Sequence, residues 1–156
     1  MTDRPYGPPV APPPLPAVGP RPPVRGSVVA VVLGWRGRIG LFKRSAHVGH
    51  DAGRWHCITG YLDEESTAPA QALRELYEET GLSAADLVDL RPGPVLELAD
   101  PRGGHWRVHT FHAETERRRL SLNWEHDAYR WVAPQSVSRF DGQVPWLHEV
   151  LRHLNG

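Results

Sequence analysis

The stretch that most restricts how this chain folds is GYLDEESTAPAQALRELYEETGL, from Gly60 to Leu82. Its second half has the marks of a single amphipathic helix with both ends specified. Ser66 or Thr67 offers an N-cap hydroxyl, and Pro69 falls in the first turn, where its missing N–H costs little. Gly81 follows the last periodic residue as a left-handed stop. The spacing predicts a helix from about Ala68 to Thr80. At roughly 100° per residue, Leu73, Leu76, Tyr77 and Thr80 fall on one side, and Glu75, Glu78 and Glu79 cluster on the other.

Three carboxylates therefore share a face. On a solvated helix their mutual repulsion is small, and the plain reading is an acidic surface patch. In a partly buried cleft, at an effective dielectric of ~20, each pair ~4 Å apart costs roughly 4 kcal/mol unless a cation lies between them. Hard oxygen ligands in that number suit Mg²⁺ or Mn²⁺.

The run R-E-L-Y-E-E-T-G-L from Arg74 to Leu82, with Gly60 fourteen residues before Arg74, resembles the Nudix box, G-x5-E-x7-R-E-U-x-E-E-x-G-U, where U is a bulky aliphatic residue. One position departs, because Ser66 stands where the box has its first glutamate. In that family this glutamate usually pairs with the arginine, here Arg74, and braces the loop. The segment RSAHVGHDAGRWHCITGYLDE is similar to a Nudix branch with R-S, a V-G loop and a W before the box, whose boxes also tend to lack the first glutamate. The resemblance implies metal ligation by Glu75, Glu78, Glu79 and the carbonyl of Gly60, with Glu75 as first choice of general base and Glu125 as second. It implies catalytic roles for Glu75, Glu79, Arg74 and Glu125. The implied reaction is Mg²⁺- or Mn²⁺-dependent hydrolysis of a nucleoside diphosphate linked to a group X: a nucleoside triphosphate, a nucleotide sugar or a related pyrophosphate. The rival reading, motivated by Ser66, is a catalytically weak nucleotide-binding sensor or interaction module on the same fold.

The 156 residues suit one domain with one core. Lys plus Arg equals Asp plus Glu at 18 each, so no global basic field exists to hold a long nucleic acid, and phosphate affinity must be local. The expected partner is a small-molecule nucleotide pyrophosphate, with a homodimer left open. Cys57 is the only cysteine, which excludes an intramolecular disulfide and a Cys-rich zinc site. No apolar run is long enough to cross a membrane, and the N-terminus lacks a signal-peptide core. A cytoplasmic protein is expected.

Residues 1–25 read as a proline-rich, disordered leader, and residues 26–156 as the folded domain. Val28 to Leu33 is an apolar, β-branched run typical of a strand covered on both faces, and Ile39 to Lys43 returns as a second strand. Arg44 closes that strand as a candidate phosphate ligand. Residues 46–56 form a mobile wall of the cleft, with His47, His50 and His56 lacking the regular spacing of a zinc site. Cys57 to Tyr61 leads into the helix, 84–90 connects, and 94–99 is a strand. His105 to Glu114 is a strand with mixed faces, expected to border a site or an edge. Tyr129 to Val132 is the last strand, and a helix starts near Val144 and Pro145. Trp55, Tyr61 and Trp106 are candidates to stack on a nucleobase. This order predicts an α+β domain, matching the α/β/α sandwich with a mixed β-sheet that the resemblance implies.

Overall fold

Val28 to Gly34 are buried without a break, because the strand that carries them, β1 (Val24–Trp35), runs through the centre of the sheet. A computed structural model describes residues 23–154, so the leader through residue 22 lies outside the described residues. β1 already begins at Val24, ahead of the boundary expected at Gly26. The Pro23 carbonyl accepts a hydrogen bond from His105 N, and Arg25 Nε donates to the Gly103 carbonyl. Deleting residues 1–22 is therefore expected to leave melting temperature and turnover nearly unchanged, whereas deletion through Arg25 lowers the melting temperature. Calorimetry and turnover on both truncations check this, and a large loss in the shorter one would show that the leader docks.

The remaining strands are β2 (Arg38–Arg44), β3 (Trp55–His56), β4 (Ile58–Tyr61), β5 (Leu87–Ala99), β6 (His105–Thr115) and β7 (His126–Val132). They form one mixed sheet in the order β3-β2-β1-β6-β5, with β4 also paired to β1 and β7 to β2. Among the pairings between these described strands, β1–β6 alone is parallel. Helix α1 (Ala68–Thr80) packs on β4 and β1, and α2 (Leu147–Leu154) packs on β5, β6 and β1. Alternation along β1 divides the core between them. Val29, Val31 and Leu33 face α1 with Leu76, while Val28, Ala30 and Val32 join Trp146, Leu147 and Val150. The result is the α/β/α sandwich with a mixed sheet.

Three elements differ from expectation. β6 lies between β1 and β5 and so is not an edge strand, although its Trp106 does border a cavity; Trp106 and Val108 enter one core and Phe111 and Ala113 the other. β5 begins at Leu87, inside the expected connector, with a register shift between Pro92 and Val95. As the last strand on its side it tolerates prolines that a central strand would reject. α2 starts at Leu147, three residues after Val144. No helix among the described residues is long and apolar enough to cross a membrane.

Candidate active site

Helix α1 has the predicted bounds. Thr67, not Ser66, is its N-cap, with Oγ1 accepting from Ala70 N at 3.3 Å, and Gly81 closes it in the left-handed region at φ 78°. Ser66 Oγ donates instead to the Thr67 carbonyl at 3.2 Å. The buried face is Gln71, Ala72, Glu75, Leu76, Glu79 and Thr80. Tyr77, placed on the core side by periodicity, is 62% exposed. The apolar stripe of this helix is only Ala72 and Leu76 wide, so the helix settles with Glu75 and Glu79 turned inward and Tyr77 outward.

The structure brings together two of the three expected carboxylates. Glu75 is 8% exposed and Glu79 fully buried, while Glu78 stays in solvent. Among the described residues no three His, Cys, Asp or Glu side chains are gathered as a ready metal cage. Gln71 Nε2 donates to Glu75 Oε2 at 3.2 Å and fixes that carboxylate. Gly60 supplies the space for it: a Cβ there would fall on the Glu75 carboxyl group, far inside 3.0 Å. The Gly60 backbone and the Glu75 side chain thus occupy one small volume.

Around this pair lie Arg44, Glu125 and His126. Arg44 is 1% exposed, and its Nε and Nη2 donate to the His50 carbonyl at 3.2 and 3.1 Å. Backbone bonds from Arg44 N to the Arg54 carbonyl and from Gly53 N to the Arg44 carbonyl close the same loop. The wall expected to be mobile is therefore tied at its base and its middle. Within it His50 pairs with Asp51 and His56 is buried, and the three histidines form no metal-holding group among the described residues. His126 Nδ1 stands 3.6 Å from Glu79 Oε1 with both side chains fully buried. Residue-type patterns gave no signal for His126 or Gln71, because their importance comes only from which way β7 and α1 face.

Burial dominates the acid–base chemistry. It pushes Glu75 up to about 7, with the Glu78 charge adding to the effect, and it raises Glu79 well above the usual range, helped by the charge of Glu125. Glu125 is raised by burial too, against the pull of Arg44. Burial and then Arg44 hold His126 down to about 4, so it does not neutralise Glu79 at neutral pH. Neither oxygen of Glu79 has a hydrogen-bond partner among the described residues. A buried carboxylate with empty lone pairs, a second beside it and a backbone carbonyl strand alongside are a donor set that fits a hard divalent cation.

The three candidate aromatics divide. Tyr61 and Trp106 have ring centroids 6.1 Å apart, and with Arg25, Arg102 and Asp63 they line a cavity of about 300 Å³. Trp55 sits elsewhere, edge-on to Phe140 at 5.1 Å. Asp100 holds the cavity wall in place: it accepts from Trp106 Nε1 at 2.7 Å and from Arg102 Nη2 at 2.8 Å, and its side chain is fully covered. The hydrogen bonds from Arg102, ahead of that from Trp106, keep its carboxyl well below the usual range. Because the folded-state value lies under the unfolded ~3.9, the stabilisation is complete at neutral pH and is lost as pH falls below about 4. Asp100→Asn is expected to cost about 2 kcal/mol at pH 7, roughly 5 °C in melting temperature, with the gap narrowing near pH 3. A gap that stays constant with pH would show that shape, not charge, matters at this position.

The NUDIX domain family model matches residues 23–154. An RNA pyrophosphohydrolase of Gluconacetobacter diazotrophicus is 29% identical over 151 residues, covering 85% of this chain and 89% of that protein. An octanoyltransferase of Myxococcus xanthus is 37% identical over 130 residues, and there the match covers 78% of this chain but only 34% of the longer protein. Among solved structures, the Nudix hydrolase RenU of M. smegmatis superposes with a TM-score of 0.68 at 23% identity, covering 85% of this chain and 83% of its own, which is a likeness of fold. With the box helix, its glycine and the sandwich in place, the chain belongs to the Nudix family, as a hydrolase acting on pyrophosphate bonds.

Proposed function

We propose that the chain hydrolyses a nucleoside diphosphate linked to a group X, using Mg²⁺ or Mn²⁺ held by Glu75, Glu79 and the carbonyl of Gly60, with Glu78 joining from the solvent side. The observation that carries this reading is Glu79: a wholly buried carboxylate whose two oxygens accept no hydrogen bond among the described residues. When bound, the cation supplies charge neutralisation on the leaving phosphate and a more acidic water. Glu75 takes the proton of the attacking water, with Glu125, half-buried beside Arg44, as the alternative base. Arg44 holds the loop wall through the His50 carbonyl and offsets the carboxylate charge. The cavity of Tyr61 and Trp106 receives the nucleobase, and Arg25 and Arg102 at its rim face the phosphates. Release of phosphate or nucleotide, measured with Mg²⁺ over nucleoside triphosphates, nucleotide sugars and dinucleotides, tests the proposal. Turnover of at least one class that stops in EDTA is expected, and no turnover with any of them would sink it.

One observation favours the sensor reading. Arg74 is exposed and makes no hydrogen bond or ion pair among the described residues, so the brace usual in the family is missing. Its consequence is testable at Ser66. The cap belongs to Thr67, so Ser66→Glu sacrifices no capping bond and gains at most an exposed pair with Arg74, worth under about 1 kcal/mol. Turnover should change by less than about tenfold. A rise of several hundredfold, read in kinetics across a Mg²⁺ titration, would mean that the native site is crippled and that the chain is a sensor.

A further inference from the structure

A second cavity, of about 850 Å³, is lined by none of the site carboxylates. It is a groove along β7, running from Asp127, two residues past Glu125, to Trp131 and on to Trp35 and Arg38 beside the β1–β2 turn. Its lining has two repeated chemistries. Trp35, Trp131 and Tyr129 form a chain of rings, with centroids 5.6 Å apart for the first pair and 6.3 Å for the second. Arg38, Arg118, Arg119 and Arg130 surround them, all exposed, and none has a carboxylate within ion-pair range among the described residues. Arg118 lies over the Trp35 ring at 5.9 Å, its backbone carbonyl accepts from Trp131 Nε1, and Arg130 donates only to the Tyr129 carbonyl. The indole N–H of Trp35 is buried without an acceptor among the described residues.

A chain with equal acidic and basic totals has thus gathered four guanidiniums in one groove against a single lining acid, Asp127. Guanidiniums that are exposed and unpaired, spread along flat rings, match a ligand that repeats phosphates and planar bases. Phosphate oxygens take the arginine forks, and bases stack on indole and phenol faces. A mononucleotide has one base and one phosphate cluster and leaves most of such a groove unused. From Asp127 to Trp131 the strand extends for roughly 13 Å, room for more than one unit of a strand. An acidic peptide satisfies the arginines and leaves the rings without partners.

We propose that this groove is a binding site for single-stranded nucleic acid, separate from the carboxylate site. It departs from the expectation of no long nucleic acid, which rests on total charge and not on its placement. The test uses the full chain in EDTA and a fluorescein-labelled single-stranded oligoribonucleotide with a 5′-hydroxyl end, read by fluorescence anisotropy. Binding is expected to weaken steeply with salt and to fall by at least ~10-fold in Arg118→Ala/Arg119→Ala, with Trp35→Phe weakening it less. Both arginines are exposed, so the double variant should fold, and with Mg²⁺ it should keep the turnover of a small nucleotide. The proposal is overturned if the double variant binds the strand as well as the parent chain does. Equal competition by a mononucleotide or by poly-glutamate overturns it too, since a strand-specific groove prefers neither. Loss of small-nucleotide turnover in a folded double variant would place these arginines in the catalytic cleft and end the claim of a separate site.

Discussion

Glu79→Gln is expected to make the protein more stable and nearly inactive at once. The wild-type carboxylate is fully buried, has no hydrogen-bond partner among the described residues and faces the like charges of Glu125 and Glu75. Ionising it there costs several kcal/mol in the absence of a cation, and part of that cost is relieved by neutral protonation. The amide keeps the volume and removes the charge, so in EDTA at pH 7 the melting temperature should rise by a few degrees, from about 1 kcal/mol of added stability. The amide also withdraws an anionic ligand from the metal site, and turnover should fall about a thousandfold or more, with the loss in kcat and not in KM alone.

The two effects separate the readings of this residue. If Glu79 served only the core, Gln would raise stability and leave kcat alone. A metal ligand predicts both changes, and it also predicts that Mg²⁺ raises the melting temperature of the wild type more than that of the variant. Thermal melts with and without Mg²⁺, beside single-turnover kinetics, check all three. Full turnover in the variant would remove Glu79 from the site.

Helix α1 was legible to the residue because its signals are local: a hydroxyl cap, a proline in the first turn and a glycine at the left-handed stop act within a few positions of each other. The central strand was legible for a similar reason, since an unbroken β-branched run has few other uses. What escaped depends on contacts distant in sequence. Periodicity puts Glu75, Glu78 and Glu79 on one arc, yet how far the helix rolls on β4 and β1 decides that Glu78 stays wet while Glu79 is sealed. The same roll exposes Tyr77. Arg44 reads as a strand-end cation, and only the closed loop behind it shows that its guanidinium binds the His50 carbonyl. From Leu87 to Val95, β5 has two exposed valines, Val88 and Val95, and two prolines, so it reads as loop until β6 is beside it. The groove along β7 joins residues from the β1–β2 turn, residues 118–122 and β7, and no window of sequence contains it.

Gly60→Ala tests the closest packing in the site and should damage both turnover and stability. Gly60 pairs with Val29 in the sheet, and the position of its missing Cβ coincides with the Glu75 carboxylate. The backbone cannot retreat, because β4 is held by β1 on one side and covered by α1 on the other. The carboxylate must therefore leave, breaking its bond from Gln71 Nε2. Either Glu75 rotates away or α1 shifts outward, and overpacking of this kind costs roughly 1–3 kcal/mol. A ligand displaced by even ~1 Å loses on the order of a hundredfold in rate, and one removed altogether loses more. Turnover should thus fall at least a hundredfold while far-UV circular dichroism stays native and the melting temperature drops by several degrees. The control is Glu75→Ala/Gly60→Ala, which frees the space: it should recover most of the melting temperature lost by Gly60→Ala and none of the turnover. If the double variant melts as low as the single one, the clash lies in the backbone and not at the Glu75 carboxylate, and the close approach of Gly60 to that group has no part in shaping the site.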